Sequence, residues 1–259
     1  MNGREGRLLR SILFVPADRA DMVAKAPWLG SDGIVVDLED AVAPDRKDAA
    51  RAGLADTMAG LRTAFAGELF VRVNAWETGL APHDLAAVVA AGPATVVLPK
   101  AELGALAVTA GWLDEHEAST GSPGGTTRLL PLVESARGVQ DLPEIAAATR
   151  RLTGLAIGLG EYGDLEASLG CGFAEDESMY LYSRSRLVIA ARAAGLDVLV
   201  DGVWTRHTDL DGLRSSARRA RSLGFTGKWT IHPAQVPVVN EAFRPSPAEV
   251  QRACGTIRA

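Results

Sequence analysis

Two patterns alternate along almost the whole chain: short apolar, β-branched runs, and longer Ala/Leu-rich stretches with helical spacing. The short runs are SILFVPA (11–17), GIVVDLED (33–40), ELFVRVNA (68–75), TVVLPKAE (95–102), RLLPLVES (128–135), LTGLAIGLG (152–160), LDVLVDGV (196–203) and GKWTIHP (227–233). Several are apolar on both faces, as expected for a parallel sheet covered by helices. Helix signals mark the stretches between. Pro82 and Asp84 precede an Ala/Val run stopped by Gly92, and Gln140 to Pro143 lead into EIAAAT. Asp176 and Ser178 lead into a run ended by Gly195, and Asp209 and Asp211 open one ended by Gly224. Eight βα units predict a closed (β/α)8 TIM barrel. The alternative, an open doubly wound sheet, announces itself by a glycine-rich turn after its first strand. Here that strand runs into VPADRADM instead.

The length, 259 residues, suits one such barrel. No composition shift divides it, so residues 1–245 read as a single domain and 246–259 as a short tail. STGSPGGTT (119–127) is the one low-complexity stretch and reads as a flexible surface loop. The net charge of −5 is scattered, which disfavours nucleic acid as a partner. The four arginines within 214–221 read as a solvated helix face. Cys171 and Cys254 have neither metal-ligand spacing nor a disulfide framework, which points to a reducing cytoplasm. No secretion-type apolar core opens the chain, and no run approaches the roughly 18 apolar residues of a membrane span.

In such barrels the site lies at the C-terminal ends of the strands. The second run ends in Asp37, Glu39 and Asp40, the third carries Arg72 and Asn74, and the fourth carries Lys100 and Glu102. The fifth ends in Glu134, the loop after the sixth holds Glu161 and Asp164, the seventh carries Asp201 and the eighth His232. Buried charges are costly unless paired or bound to metal, so their convergence on one rim points to a site. Singly, Asp37 and Asp201 read equally well as helix caps, and His232 as a satisfied rim histidine. Glu134 and Asp164 suit a hard divalent cation such as magnesium, which takes one or two protein carboxylates and completes its shell with water and substrate. Arg72, fixed on a strand, can grip a substrate carboxylate with its planar fork. Lys100 reads as a cation paired with Glu102 or Glu39 rather than as a Schiff-base nucleophile.

The segments SILFVPADRADMVAKA, GIVVDLEDAVAPDRKDAAR, VRVNAWET, VVLPKAE, LPLVESARGV and GFTGKWTIHPAQVPVVNEAF span residues 11–243 in order. Together they resemble the citrate lyase β-subunit-like branch of the HpcH/HpaI aldolase family. The resemblance implies a TIM barrel of the phosphoenolpyruvate/pyruvate type and a Mg²⁺-dependent carbon–carbon lyase. Such an enzyme cleaves or forms a β-hydroxy acyl thioester of the citryl-, malyl- or citramalyl-CoA type. It implies that Glu134 and Asp164 hold magnesium, that Arg72 contacts the substrate carboxylate or carbonyl, and that Glu39 and Asp40 line the metal site. A homotrimer or hexamer is implied as well.

Three departures bear on that reading. The family's G-x-E-D-L-x-x-D-L-G loop is here GLGEYGDLEASLG, with Gly163 in place of the glutamate and Ser168 in place of the second aspartate. Glu161 is the acid available to substitute. The lid segment that follows the barrel in the family is absent from residues 246–259, which argues against thioester hydrolysis and leaves CoA, acyl carrier protein and free acid open. Trp76 and Trp229 stand beside site motifs and read as packing residues. Two other functions fit the sequence: an aldolase for free 2-keto acids, and a non-catalytic subunit with a lyase-like barrel.

Overall fold

The structure, a computed structural model, describes residues 9–257. Its chain order is β1 (Ser11–Pro16), α1 (Ala20–Lys25), β2 (Gly33–Asp37), α2 (Lys47–Ala52), α3 (Leu54–Ala64), β3 (Glu68–Arg72), α4 (Ala81–Ala91), β4 (Thr95–Leu98) and α5 (Leu103–Thr120). Then come β5 (Arg128–Val133), α6 (Ala136–Gln140), α7 (Leu142–Ala147), β6 (Gly154–Ile157), α8 (Asp164–Leu169), α9 (Leu181–Ala193), β7 (Val198–Asp201), α10 (Leu210–Leu223), β8 (Gly227–Thr230), α11 (Gln235–Ala242) and α12 (Pro247–Ile257). The eight strands close into a barrel in sequence order, each parallel to its neighbours. This is the (β/α)8 architecture that the alternation predicts.

Strand side chains divide into two apolar layers. Ile12, Val35, Phe70, Val97, Leu130, Leu132, Ala156, Val200 and Trp229 fill the barrel interior. Leu13, Ile34, Val36, Val71, Val96, Leu98, Leu155, Ile157 and Leu199 point outward under the helices. Because the side-chain period is two, this parity decides where each charged strand-end residue goes. Asp37 and Arg72 share the inward parity of Val35 and Phe70. Asp201 shares the outward parity of Leu199 and lies beneath the helices. There Arg184 of α9 (2.8 and 3.0 Å) and Lys228 of β8 (2.6 Å) bind its carboxylate. Glu177, from the segment before α9, joins the cluster through Arg184, Ser216 and Arg219. Arg184, Lys228 and Asp201 are all buried, and every charge has an opposite partner, which is what makes such burial tolerable. Neither the cap nor the rim reading of Asp201 holds.

Three other expectations change. The strands are shorter than the apolar runs, and β2 ends at Asp37 because the Asp37 carboxylate accepts the amides of Glu39 and Ala41 (2.9 and 3.1 Å) and turns the chain. Segment 119–127 is tied down: Glu117 of α5 accepts the amides of Gly125 and Thr127 (2.7 and 2.8 Å) and pairs with Arg151 (2.8 Å). Three partners hold that glutamate well ionised, with its pKa lowered to about 2: burial alone would raise it, but Arg151 and the two amides win. The arginine run is not uniformly solvated, since Arg219 reaches the buried Glu177 while Arg214, Arg218 and Arg221 stay at the surface.

Candidate active site

At the C-terminal end of the barrel a cavity of about 480 Å³ opens above Leu132 and Trp229. Asp37, Asp40, Arg72, Glu134 and Glu161 are on its wall. Arg72 is the fixed centre of its cationic side. Its Nε and Nη2 donate to the two oxygens of Asp37 (2.7 and 2.5 Å), a bidentate fork. Its Nη1 faces Glu39 and Asp40 at 3.0 and 3.1 Å. The guanidinium lies 4.8 Å from the centre of the Phe14 ring, which supports it from below. Burial pulls the Arg72 pKa down, but the attraction of Asp37, Glu39 and Asp40 outweighs it, and the group stays cationic.

Glu39 is the most perturbed acid in the cavity region. Burial is the leading cause and raises it to about 8; Arg72 works against the shift, while Asp40, Glu134 and Asp37 add to it. Glu134, at the inward-facing end of β5, is raised to about 7, again mainly by burial, with Asp164 and Asp40 adding to it and the Lys100 amide opposing. Two carboxyls that resist ionisation beside three others, Asp37, Asp40 and Asp164, mark a site short of positive charge.

Lys100 bridges the acids differently from expectation. Its ammonium pairs with Asp164 at 3.3 Å, and its backbone amide donates to Glu134 at 2.9 Å. Neither Glu102 nor Glu39 is its direct partner: Glu102 accepts instead from the Ser135 hydroxyl (2.8 Å). A positive φ of 46° at Lys100 places both groups at once. Burial lowers the Lys100 pKa, but Asp164, Glu39 and Glu134 raise it further, so the amine stays protonated and a Schiff base is disfavoured. Among the described residues no group of three His, Cys, Asp or Glu forms a metal cage. Two carboxylates with an open face are the donor set magnesium uses when substrate completes its shell, so the residues present fit that ion.

Gly158, just after β6, makes room for Glu134: a Cβ there would lie 2.4 Å from the Glu134 Cγ and 2.6 Å from its Oε1. Gly158→Ala is therefore expected to displace the carboxylate and lower kcat by about 100-fold. Its melting temperature should stay within a few degrees of wild type, which thermal melts and kinetics on the same preparation would read.

The departures in the loop after β6 acquire roles. The Ser168 hydroxyl accepts the amide of Ala136 (2.9 Å) and so ties α8 to the start of α6. Glu161 is not offered as a substitute acid, because Arg206 grips its carboxylate with Nε and Nη2 (2.9 and 3.1 Å). Arg206 also lies 5.0 Å from the Phe173 ring centre. Neither Arg206 nor Phe14 stands out in the sequence, since both act through neighbours that only the fold supplies. Trp229 packs, as expected, but does so as the cavity floor, tilted against Phe14 with ring centres 5.1 Å apart. Trp76 donates to the Thr109 hydroxyl (2.7 Å). Asn74 is buried and bound to Asp84 and the Leu38 carbonyl. His232 is exposed, with Nδ1 accepting the Ala234 amide (3.2 Å), the satisfied rim histidine of the two readings.

Residues 10–233 match the model of the HpcH/HpaI aldolase/citrate lyase family. The chain belongs to that family. Within it, the citrate lyase subunit beta of Leuconostoc mesenteroides subsp. cremoris is 35% identical over 256 residues, covering 98% of this chain and 82% of that one. The (3S)-malyl-CoA thioesterase of Cereibacter sphaeroides is 37% identical over 250 residues, covering 94% and 80%. Among solved structures, CitE of Mycobacterium tuberculosis, in complex with magnesium, acetoacetate and coenzyme A, superposes with a TM-score of 0.73 at 34% identity, covering 96% of this chain and 87% of that one. Family membership thus rests on sequence and fold together, and the HpcH/HpaI barrel is the frame in which the cavity is interpreted.

Proposed function

We propose that the protein is a Mg²⁺-dependent carbon–carbon lyase that cleaves or forms a β-hydroxy acyl thioester, of the citryl-, malyl- or citramalyl-CoA type, through an enolate. The observation that carries this reading is that Glu134 and the Asp37-anchored Arg72 line one cavity, with Asp164 joined to Glu134 through Lys100, whose amide binds Glu134 and whose ammonium pairs with Asp164. The names of the relatives and the ligands of the mycobacterial structure support it. Glu134 and Asp164 are the residues that would hold the ion. Bound magnesium supplies Lewis-acid polarisation of the substrate oxygen that becomes a carbonyl. Arg72 is held by Asp37 through Nε and Nη2, so its Nη1, which faces Glu39 and Asp40, is the edge a substrate carboxylate would reach by displacing the exposed Asp40, and from there it offsets charge gathering as the carbon–carbon bond breaks. Asp40, the exposed acid of the pair, accepts the hydroxyl proton in the cleavage direction. Glu39, still protonated near neutrality, is the acid that quenches the enolate carbon. Assembly into a homotrimer or hexamer belongs to the same reading. So does a cytoplasmic setting, which the free thiols of Cys171 and Cys254 favour. Among the described residues no helix is long and apolar enough to cross a membrane.

The test is a panel of malyl-, citramalyl- and citryl-CoA and the matching free hydroxy acids, with Mg²⁺ or with EDTA, following the released carbonyl product. Thioester cleavage that needs magnesium is expected. Cleavage of the free acids alone would move the protein to a free-acid aldolase, and silence throughout would sink the lyase reading. Proton linkage gives a second measurement on the same samples. Glu134 and Glu39 are raised to about 7 and about 8 in the metal-free fold. Ion binding near pH 6.5 should therefore release protons, and affinity should rise as the pH climbs through 7. Over that window the metal-free fold should lose stability with rising pH, because it keeps protons that the unfolded chain has already given up. Titration calorimetry in two buffers of different ionisation enthalpy checks the proton release, and thermal melts of the metal-free protein across about pH 6 to 8 check the fall in stability.

A further inference from the structure

The surface arginines of α10 are not explained by the lyase reading. Arg214, Arg218 and Arg221 are spaced i, i+4, i+7 and so form one stripe on the helix. The opposite stripe, Leu213, Ser216, Ala217 and Ala220, is buried against the barrel. Arg244, from the turn after α11, faces the arginine stripe across a groove of about 590 Å³, larger than the active-site cavity. Glu241 and Glu249 also line it.

Four guanidiniums thus line one concavity with two carboxylates. Two of the four are already engaged: Arg214 with Asp211 (2.5 Å) and Arg221 with Glu249 (2.7 Å). Among the described residues, Arg218 and Arg244 make no side-chain hydrogen bond or ion pair. Two uncommitted guanidiniums on one groove leave their donors for a bound anion to accept. A planar guanidinium fork matches the oxygens of a phosphate or a carboxylate, and a multiply charged phosphate has oxygens enough to accept from two forks at once.

We infer that this groove is a binding site for a small, multiply charged phosphorylated anion, separate from the active site. The separation follows from topology. α10 leaves the catalytic end of β7 and returns toward the N-terminal end of β8, so Arg218 and Arg221 lie in its half far from the cavity, and Arg244 follows α11 in the same direction. A small ligand is favoured over nucleic acid because the carboxylates of Glu241 and Glu249 are part of the lining and the chain as a whole carries −5.

The experiment uses the full chain without added metal and inorganic pyrophosphate as the probe, followed by calorimetry at about 150 mM ionic strength, where diffuse surface attraction is largely screened. Wild type is expected to bind one equivalent saturably. Arg218→Ala with Arg244→Ala should weaken binding by about tenfold or more, and the corresponding Lys pair should restore part of it. Both side chains are exposed, so the double variant should keep the wild-type melting temperature and magnesium-dependent turnover. Binding that survives the double variant would place the anion elsewhere and overturn the inference. So would failure to saturate, or heat that vanishes at this ionic strength, which is the behaviour of a solvated helix face. Displacement of pyrophosphate by an acidic peptide but not by inorganic phosphate would reassign the groove to a protein partner and also overturn it. None of these outcomes depends on the substrate of the lyase.

Discussion

Glu134→Ala is expected to lower magnesium-dependent turnover by roughly 100- to 1,000-fold and to remove most of the affinity for the ion. Glu134 is the carboxylate through which the cavity's parts meet: the Lys100 amide donates to it, Asp164 acts on its ionisation and Gly158 clears its path. Its removal leaves Asp164, whose side chain is 56% exposed, as the remaining acid of the pair, and a half-solvated carboxylate holds a hard ion weakly. Stability should move the other way or not at all, because a buried acid with a raised pKa is a net cost to the fold at neutral pH. Kinetics with Mg²⁺ titrated over several decades, beside a thermal melt, separates the two effects. A variant that kept near-native kcat at saturating magnesium would contradict the assignment of Glu134 as a ligand.

The second large effect is expected at Arg72, and it falls on the fold as well as the chemistry. Arg72→Ala strands Asp37, which has no solvent exposure, without its bidentate partner. Breaking a buried pair from one side typically costs about 3–5 kcal/mol, which for a chain of this size is a drop in Tm on the order of 10 °C. Arg72→Lys should recover much of that loss, since a charge again faces Asp37. It should recover little activity, because an ammonium engaged with Asp37 has no second edge left for a substrate carboxylate. Melts and steady-state kinetics on the two variants check the split. If lysine restored turnover along with stability, the fork geometry would not matter and Arg72 would be acting as a point charge.

How far the sequence carries depends on what kind of fact is wanted. Eight strands and their order follow from eight apolar runs separated by helical stretches, and the charged rim follows from where those runs end. The direction in which each rim residue points is harder to read. GIVVD and VLVD look alike, yet Asp37 faces the cavity and Asp201 faces the helices. In a sheet with one wet face, alternation of polar and apolar residues would reveal the parity. Here both faces are dry and the alternation is erased. Partner choice is hidden for a related reason. Lys100, Glu161 and Ser168 are each in the segment expected, but their partners Asp164, Arg206 and Ala136 are 64, 45 and 32 residues away in sequence. Lys100 takes its place only through a left-handed backbone that a lysine does not advertise.

The clamp at the far end of α5 has a practical consequence for anyone who would reopen or relabel this barrel. By composition, STGSPGGTT is the obvious place to insert a tag, graft a domain or start a circular permutant, since such sites succeed in loosely held loop tips. Its amides at Gly125 and Thr127 belong to Glu117, and Glu117 in turn neutralises the buried Arg151, which also binds the Thr127 carbonyl and Asp114. Opening the chain there would release one strand of a knot that fastens α5 to β5 and to the segment before β6. A graft is better placed where the backbone amides face water and answer to no side chain.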